Sequence, residues 1–457
     1  MINDVTANFP TVSKSKIKNG EWKTMRGSLM ITLGDKRQLY ISGAGMQKEK
    51  IVIYLKNINV KISGDELASD DVLQDWLEAP SIYEAYKDYF DYIGFAVPYN
   101  NGLTDQKIQK GLAYQASSIT SENEFKPDFL WAWQKPTSFV DFKAEDGKTY
   151  KMPSKLSMGS AAQILSTAKK LGLEMRGHVL VWHSQTPKFF FREGWTDDGK
   201  YVSREEMTAR QEWYIKYVLE WVKDWEDKNN GGKRIITTWD VVNEAAADNA
   251  SSTRHTRDNG DWWGVYKDSS YIANAFRFAN KYAPKDVLLC YNDYCSELGA
   301  SLTNPNGKHL DILKIVDEIQ ADPKARIDVV GLQTHINVDT KIRGGFNSYE
   351  EAFKSFLTRN VNLQVTELDI GSGSGKYSST KTAAKYKELF ELMIEYRKTP
   401  SKKGVEGITI WGVHDDGTWL DGQPEYKGKK QHPLLFKKTK TGFVAKREHQ
   451  AVIEIVK

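Results

Sequence analysis

Cysteine is scarce: Cys290 and Cys295 are the only two in 457 residues, so neither a disulfide framework nor a cysteine-built zinc site is available. On one extended strand the pair would lie roughly 16 Å apart, beyond disulfide reach, and both are expected as free thiols. Long apolar runs are missing as well. Nothing approaches the ~18 consecutive apolar residues of a membrane span, and the opening MINDVTANFP lacks the basic-then-apolar pattern of a signal peptide. Neither sign of charge dominates: 64 basic and 60 acidic residues give a formal +4, which excludes a nucleic acid or an anionic surface as the expected partner. The basic stretch 427–440 reads as a solvated loop. His178 and His183 are not part of an H-E-x-x-H pattern, and no phosphate-cradling glycine loop occurs. Gly371–Gly375 reads as a flexible linker, so neither metal nor cofactor is expected.

Aromatics are plentiful: 14 Trp and 22 Tyr in a chain whose length suits a barrel-sized domain with an appendage. Residues 1–66 read as β structure, with alternating runs at 27–33, 38–42 and 50–62 between Gly/Asp-rich breaks. Three strands are too few to close a sandwich core, which usually takes about seven. Residues 67–80 read as a linker, and from Ser69 to Phe90 two short helices are expected, separated by Pro80, the second opened by the capping box Ser81-Ile-Tyr-Glu84.

From 81 to 457 strands and helices alternate. Strands are expected near 93–97, 117–121, 174–182, 234–243, 287–293, 327–335, 362–368 and 406–412, a pattern that predicts an α/β fold, the (β/α)8 barrel. The helices carry the 3.6-residue period, as in Ala161, Ile164, Leu165, Ala168 and Leu171, or Tyr214, Val218, Trp221 and Val222. Long stretches at 126–158, 183–202, 244–268 and 413–445 follow strands and fall on the barrel's C-terminal face. They hold Phe129, Trp131, Trp133, Phe189 to Phe191, Trp195, Trp262, Trp263 and Trp419, which predicts an aromatic-walled cleft there.

Strand ends concentrate the polar chemistry. Strand four ends Trp239-Asp-Val-Val-Asn243-Glu244, and strand seven carries Val365-Thr-Glu367-Leu-Asp369. One strand-end Glu is more simply a helix cap, and one barrel His a hydrogen-bonded core residue. Here six ends coincide. Strand two runs into Ser121-Glu122-Asn123-Glu124-Phe125-Lys126, and strand three carries Gly177-His178 and Trp182-His183-Ser184-Gln185. Strand six has Gln333-Thr-His335, and strand eight leads through Trp411 to Trp419.

With these motifs the segment from Ser81 to Lys457 resembles the family 10 glycoside hydrolases, endo-β-1,4-xylanases on a (β/α)8 barrel. The resemblance implies Glu244 as acid/base and Glu367 as nucleophile. It implies that Glu122, Asn123 and Lys126 hold the sugar on the non-reducing side, with His178, Trp182 and Gln185 beside them. Gln333 and His335 would contact the reacting sugar and orient the nucleophile, while Trp411 and Trp419 wall that sugar. Cys295 stands where an Asn is common. Residues 22–62 resemble the C-terminal half of a carbohydrate-binding jelly roll of the family 4 and 22 kind, without its first half.

The chemistry of the residues points the same way. Cleaving a glycosidic bond needs a protonated carboxyl for the leaving oxygen and an ionised one for the oxocarbenium-like centre. Asn243 would donate to the sugar 2-hydroxyl, and donors such as His335 would keep Glu367 ionised. The expected partners are xylan and xylo-oligosaccharides, and the expected location is secreted or cell-surface. Two other readings stay open: another retaining barrel glycosidase, a cellulase or mannanase, and a polysaccharide-binding barrel without catalysis.

Overall fold

The structure, a computed structural model, describes residues 74–457 except 252–253, 300–306, 374 and 427, together with three short strands nearer the N-terminus. The chain divides into two compact units, Met1–Leu73 and Gln74–Lys457. In the first, Ile2–Asp4 pairs antiparallel with both Thr11–Ser13 and Leu39–Ile41. Of the expected runs there, Leu39–Ile41 coincides with the second; 27–33 and 50–62 lie outside the described residues, and the jelly-roll resemblance with them.

The second unit is a closed parallel barrel. Its strands are β1 (Tyr92–Val97), β2 (Ser118–Ser121), β3 (Glu174–Trp182), β4 (Ile236–Asn243), β5 (Leu288–Asp293), β6 (Val329–Leu332), β7 (Asn362–Gly371) and β8 (Val405–Ile410). Each pairs with the next, and β8 pairs back onto β1 through Gly407 to Ile410. Parallel strands covered on both faces are buried continuously rather than on alternate residues, and every residue of β7 is buried, its polar side chains included.

Helices seal the outside by the periods read in the sequence. In α3 (Gly159–Leu171), Ala161, Ile164, Leu165 and Ala168 are buried, and Gly172 at φ 71 ends the helix in the left-handed region. In α4 (Arg204–Asn229), Tyr214, Val218 and Val222 are buried, and the Ser203 hydroxyl accepts from the Glu206 N–H. Earlier, α1 (Ile82–Tyr86) is capped the same way by Ser81. The Glu84 carboxylate accepts from Lys87 instead of returning to the cap.

Two expectations shift. The sixth strand, expected unbroken over 327–335, stops at Leu332 and resumes as His335–Asn337, because Thr334 takes φ 63 and breaks the ladder. A helix expected ahead of Pro80 is a turn where it is described: the N–H groups of Glu78 and Ala79 both return to the Asp75 carbonyl. That turn belongs to the barrel unit. Trp76 is 3% exposed and packs on Phe436 and Phe443.

Candidate active site

Glu244 follows β4 directly, with φ 55, a left-handed conformation that costs a residue with a side chain about 1–2 kcal/mol. The surrounding main chain compensates. The Glu244 N–H donates to the Asn292 carbonyl at 2.8 Å, and the Ala245 and Ala246 N–H groups both reach the Tyr291 hydroxyl, at 3.1 and 2.9 Å. The turn aims the carboxylate at the barrel mouth, where Trp182 Nε1 donates to Oε2 at 2.9 Å and Gln333 Nε2 to Oε1 at 2.8 Å. Burial raises the carboxyl's pKa, Asp293 and Glu367 add to it, and the two hydrogen bonds only partly oppose the rise.

Glu367, on β7, is set the other way. Asn292 Nδ2 donates to Oε1 at 2.8 Å, and His335 Nε2 lies 3.1 Å from Oε2. Burial favours the neutral acid, yet the hydrogen bond and charge of His335 outweigh it and Glu367 is lowered below its ordinary value. His335 itself is pushed up to about 10: burial opposes its charge, and Asp369 and Glu367 prevail. As an imidazolium it donates from both nitrogens, Nδ1 reaching Asp369 Oδ2 at 2.9 Å.

One amide chain links the two carboxyls. Asn243 Oδ1 accepts from Asn292 Nδ2 at 3.0 Å and from Gln333 Nε2 at 3.2 Å, which fixes the Asn243 amide and leaves its Nδ2 to donate outward. Thr366 donates to Asn292 Oδ1 at 2.6 Å and so fixes that amide in turn. Gln333 and His335 flank the break at Thr334, which lets one reach Glu244 and the other Glu367.

Other expected residues lie around this pair. His178 is buried, its Nδ1 2.9 Å from Asp240 Oδ2, and Trp411 meets its ring edge at 5.5 Å. The Trp419 ring lies tilted against that of His335, 4.7 Å between centres, and donates from Nε1 to Asp369 Oδ2 at 2.7 Å, while remaining 40% exposed. Lys126 is buried with its ammonium 5.0 Å from the Trp182 ring centre and 3.2 Å from Asn123 Oδ1. Glu122, just past β2, has its carboxyl raised to about 7 by burial, against the pull of Lys126. Gln185 is tied to the segment after Lys126 by its main-chain carbonyl, which accepts from the Asp128 N–H at 2.9 Å. Neither Glu122 nor Gln185 touches the two carboxyls directly. Among the described residues no cluster of metal-binding side chains occurs.

The profile of glycosyl hydrolase family 10 matches residues 81–454. The chain belongs to that family. It is 33% identical over 400 residues to endo-1,4-beta-xylanase Y of Acetivibrio thermocellus, covering 83% of this chain and 34% of that protein. It is 32% identical to a beta-1,4-xylanase of Dictyoglomus thermophilum, covering 79% of this chain and 88% of the other. The CBM22-1–GH10 modules of a Clostridium thermocellum xylanase, solved with xylohexaose, superpose with a TM-score of 0.66 at 29% identity, over 84% of this chain and 69% of that one. The chain spans only a third to a half of the first relatives it matches.

The family 10 barrel corrects one expectation. Trp131, Phe189, Phe190, Phe191, Trp195 and Trp262 are buried against one another, with Trp131 5.2 Å from Phe189 and Phe191 5.0 Å from Trp262, so they pack the loops rather than wall the cleft. Long insertions need an apolar core of their own, and these rings supply it. Several supporting residues had no role from sequence: Asn292, Asp369, Asp240, Tyr291, Arg176 and Arg257. Arg176 was detectable as a charge inside the apolar run of strand three; Arg257 sits in a polar loop and gave no signal.

Proposed function

We propose that the chain is an endo-1,4-β-xylanase acting on internal bonds of xylan and xylo-oligosaccharides by a retaining double displacement, with Glu244 as acid/base and Glu367 as nucleophile. The observation that carries this is the opposed setting of two strand-end carboxyls, one raised by burial and one lowered by His335, joined through Asn243 and Asn292. The names of the relatives and the xylohexaose in a similar structure supply the sugar.

Glu367 attacks the anomeric carbon while Glu244 protonates the departing sugar oxygen; the ionised Glu244 then takes a proton from the water that releases the product. Asn243 Nδ2 donates to the 2-hydroxyl, one of the contacts there that strengthen in the transition state. Glu122, Asn123, Lys126, His178 and Gln185 hold the sugar on the non-reducing side. Trp182, Trp411 and Trp419 shape the space for the reacting ring and leave none for a hydroxymethyl group. A polymeric substrate places the enzyme outside the cell, in the secreted or cell-surface location.

Reducing-end release from xylan, cellulose and mannan tests the substrate, and two variants test the roles. Xylan is expected to be cleaved fastest; faster cleavage of cellulose or mannan overturns the sugar assignment, and no cleavage of any of them leaves a binding barrel. Glu367→Ala loses every substrate. Glu244→Ala loses xylan but still forms the glycosyl-enzyme from an aryl xylobioside whose phenolate leaves unaided, and azide speeds turnover to a β-glycosyl azide. An α-azide, or equal losses in both variants, overturns the roles.

A further inference from the structure

Glu244 is fixed at two ends. Trp182 and Gln333 hold its carboxylate, and the left-handed main chain below is held by groups with no place in the reaction described above. Foremost among these is Arg257. It follows the hairpin of Ala246–Ser251 and Arg254–Thr256, an excursion outside the barrel that pairs Ala246 with Thr256. Its Nε donates to the Glu244 carbonyl at 2.7 Å, and its own N–H donates to the Ala245 carbonyl at 3.0 Å. Its Nη2 donates to the Tyr294 hydroxyl at 2.6 Å, and Asp248 lies 3.2 Å away. Tyr294 and the ammonium of Lys308 converge on that same Asp248, and Lys308 also pairs with the fully buried Asp293 at 3.1 Å. Two acceptors and a phenol thus fix the guanidinium plane, with only 13% of the side chain exposed.

We infer that Arg257 is a positioning residue for proton transfer: it locks the Glu244 peptide in the left-handed turn that aims the carboxyl at the leaving oxygen. This rests on Glu244 as acid/base. A small rotation at Glu244 is levered out along its side chain, and proton transfer tolerates little displacement from hydrogen-bond reach. The nucleophile does not share the dependence, since Glu367 is positioned by Asn292 and His335 on other strands. Losing Arg257 therefore impairs the step that needs a proton and spares the attack itself.

The test compares xylan, whose leaving oxygen needs a proton, with a dinitrophenyl xylobioside, whose leaving group does not. In Arg257→Met, kcat/KM on xylan is expected to fall about 10²-fold, while on the aryl substrate it stays within about threefold. Labelling of Glu367 by a 2-fluoro xylobioside inactivator keeps its native rate. A parallel fall on both substrates, or no fall on xylan, overturns the inference. Should melting curves show that Arg257→Met is not folded, Arg257→Lys, which keeps a cation and a donor, carries the same comparison: a smaller loss confined to xylan supports it, and parallel loss or none overturns it. Glu244→Ala is run alongside. If that variant lacks the split, the acid/base reading falls; if it shows the split and a folded Arg257 variant does not, only the role of Arg257 falls.

Discussion

At the scale of single residues, the two carboxyls start from the same ordinary value and are driven apart by what each one touches. Burial acts on both. Glu244 has only neutral donors to answer it, whereas Glu367 faces the His335 imidazolium. The state that the proposed mechanism requires, Glu244 protonated and Glu367 ionised, therefore lies between a lowered and a raised pKa, and kcat/KM is expected to be bell-shaped in pH. The acid limb belongs to Glu367 and lies below the ordinary glutamate value; the basic limb belongs to Glu244 and lies above it. Glu367's negative charge is one cause of the rise at Glu244, so Glu367→Gln is expected to lower the Glu244 pKa, read by carbon-13 NMR of labelled glutamate. No downward shift would show that burial alone sets Glu244. Under the proposed roles the same coupling would serve the reaction: esterifying Glu367 removes its charge, so that Glu244 ionises more readily to act as base.

Among the elements, the strands were legible because a parallel barrel demands unbroken β-branched and apolar runs, and their ends were legible because Glu244, Glu367 and His335 interrupt such runs. What stayed hidden was decided by tertiary context. Nothing local marks Thr334 as the residue that turns left-handed, or Trp131 and Phe190 as packing for a loop rather than a wall for sugar. Arg176 shows how much the barrel interior carries unseen: it is 1% exposed, bidentate to Asp240 at 2.5 and 3.1 Å, and donates to Gln364 on β7 at 2.8 Å. Burial favours neutral Asp240, but Arg176 overrides it and holds the carboxyl at about 2. Asp240 in turn sets the His178 ring. Arg176→Met is expected to cost about 3–5 kcal/mol of stability near neutral pH by leaving Asp240 uncompensated, measured by urea unfolding. A lowered pKa contributes stability above the unfolded carboxylate value and loses it as pH falls through the folded one, so the difference between native and variant shrinks as pH approaches about 2. A difference that stayed constant with pH would mean that lost packing, not lost charge, is responsible.

For the whole molecule, the question is where the catalytic unit begins. Pro80 and the Ser81 cap mark a start at Ser81, where the family match also begins; the compact unit takes in seven residues more, from Gln74. Trp76 accounts for the difference. Its N–H donates to the Phe443 carbonyl at 3.1 Å, its carbonyl accepts from buried Gln115, and the Ala445 N–H donates to the Gln74 carbonyl at 2.9 Å, so this segment adds a strand-like edge to the antiparallel pair Phe436–Lys438 and Phe443–Ala445. The ring fills a space that α2 (Gln106–Gln115) keeps open at Gly111, where a Cβ would lie 1.9 Å from the indole. Deleting residues 1–73 is therefore expected to leave xylan hydrolysis and the melting temperature of the barrel nearly unchanged. Deleting residues 1–80 removes Trp76 and leaves a cavity between Phe436, Phe443 and Gly111, at a cost of about 3–5 kcal/mol, the range for truncating a buried aromatic. The comparison is made by thermal unfolding of both truncations beside the full chain. Equal melting temperatures for the two would show that Trp76 is not part of the barrel's core, and lost activity in a folded 74–457 fragment would show that the first unit takes part in the site.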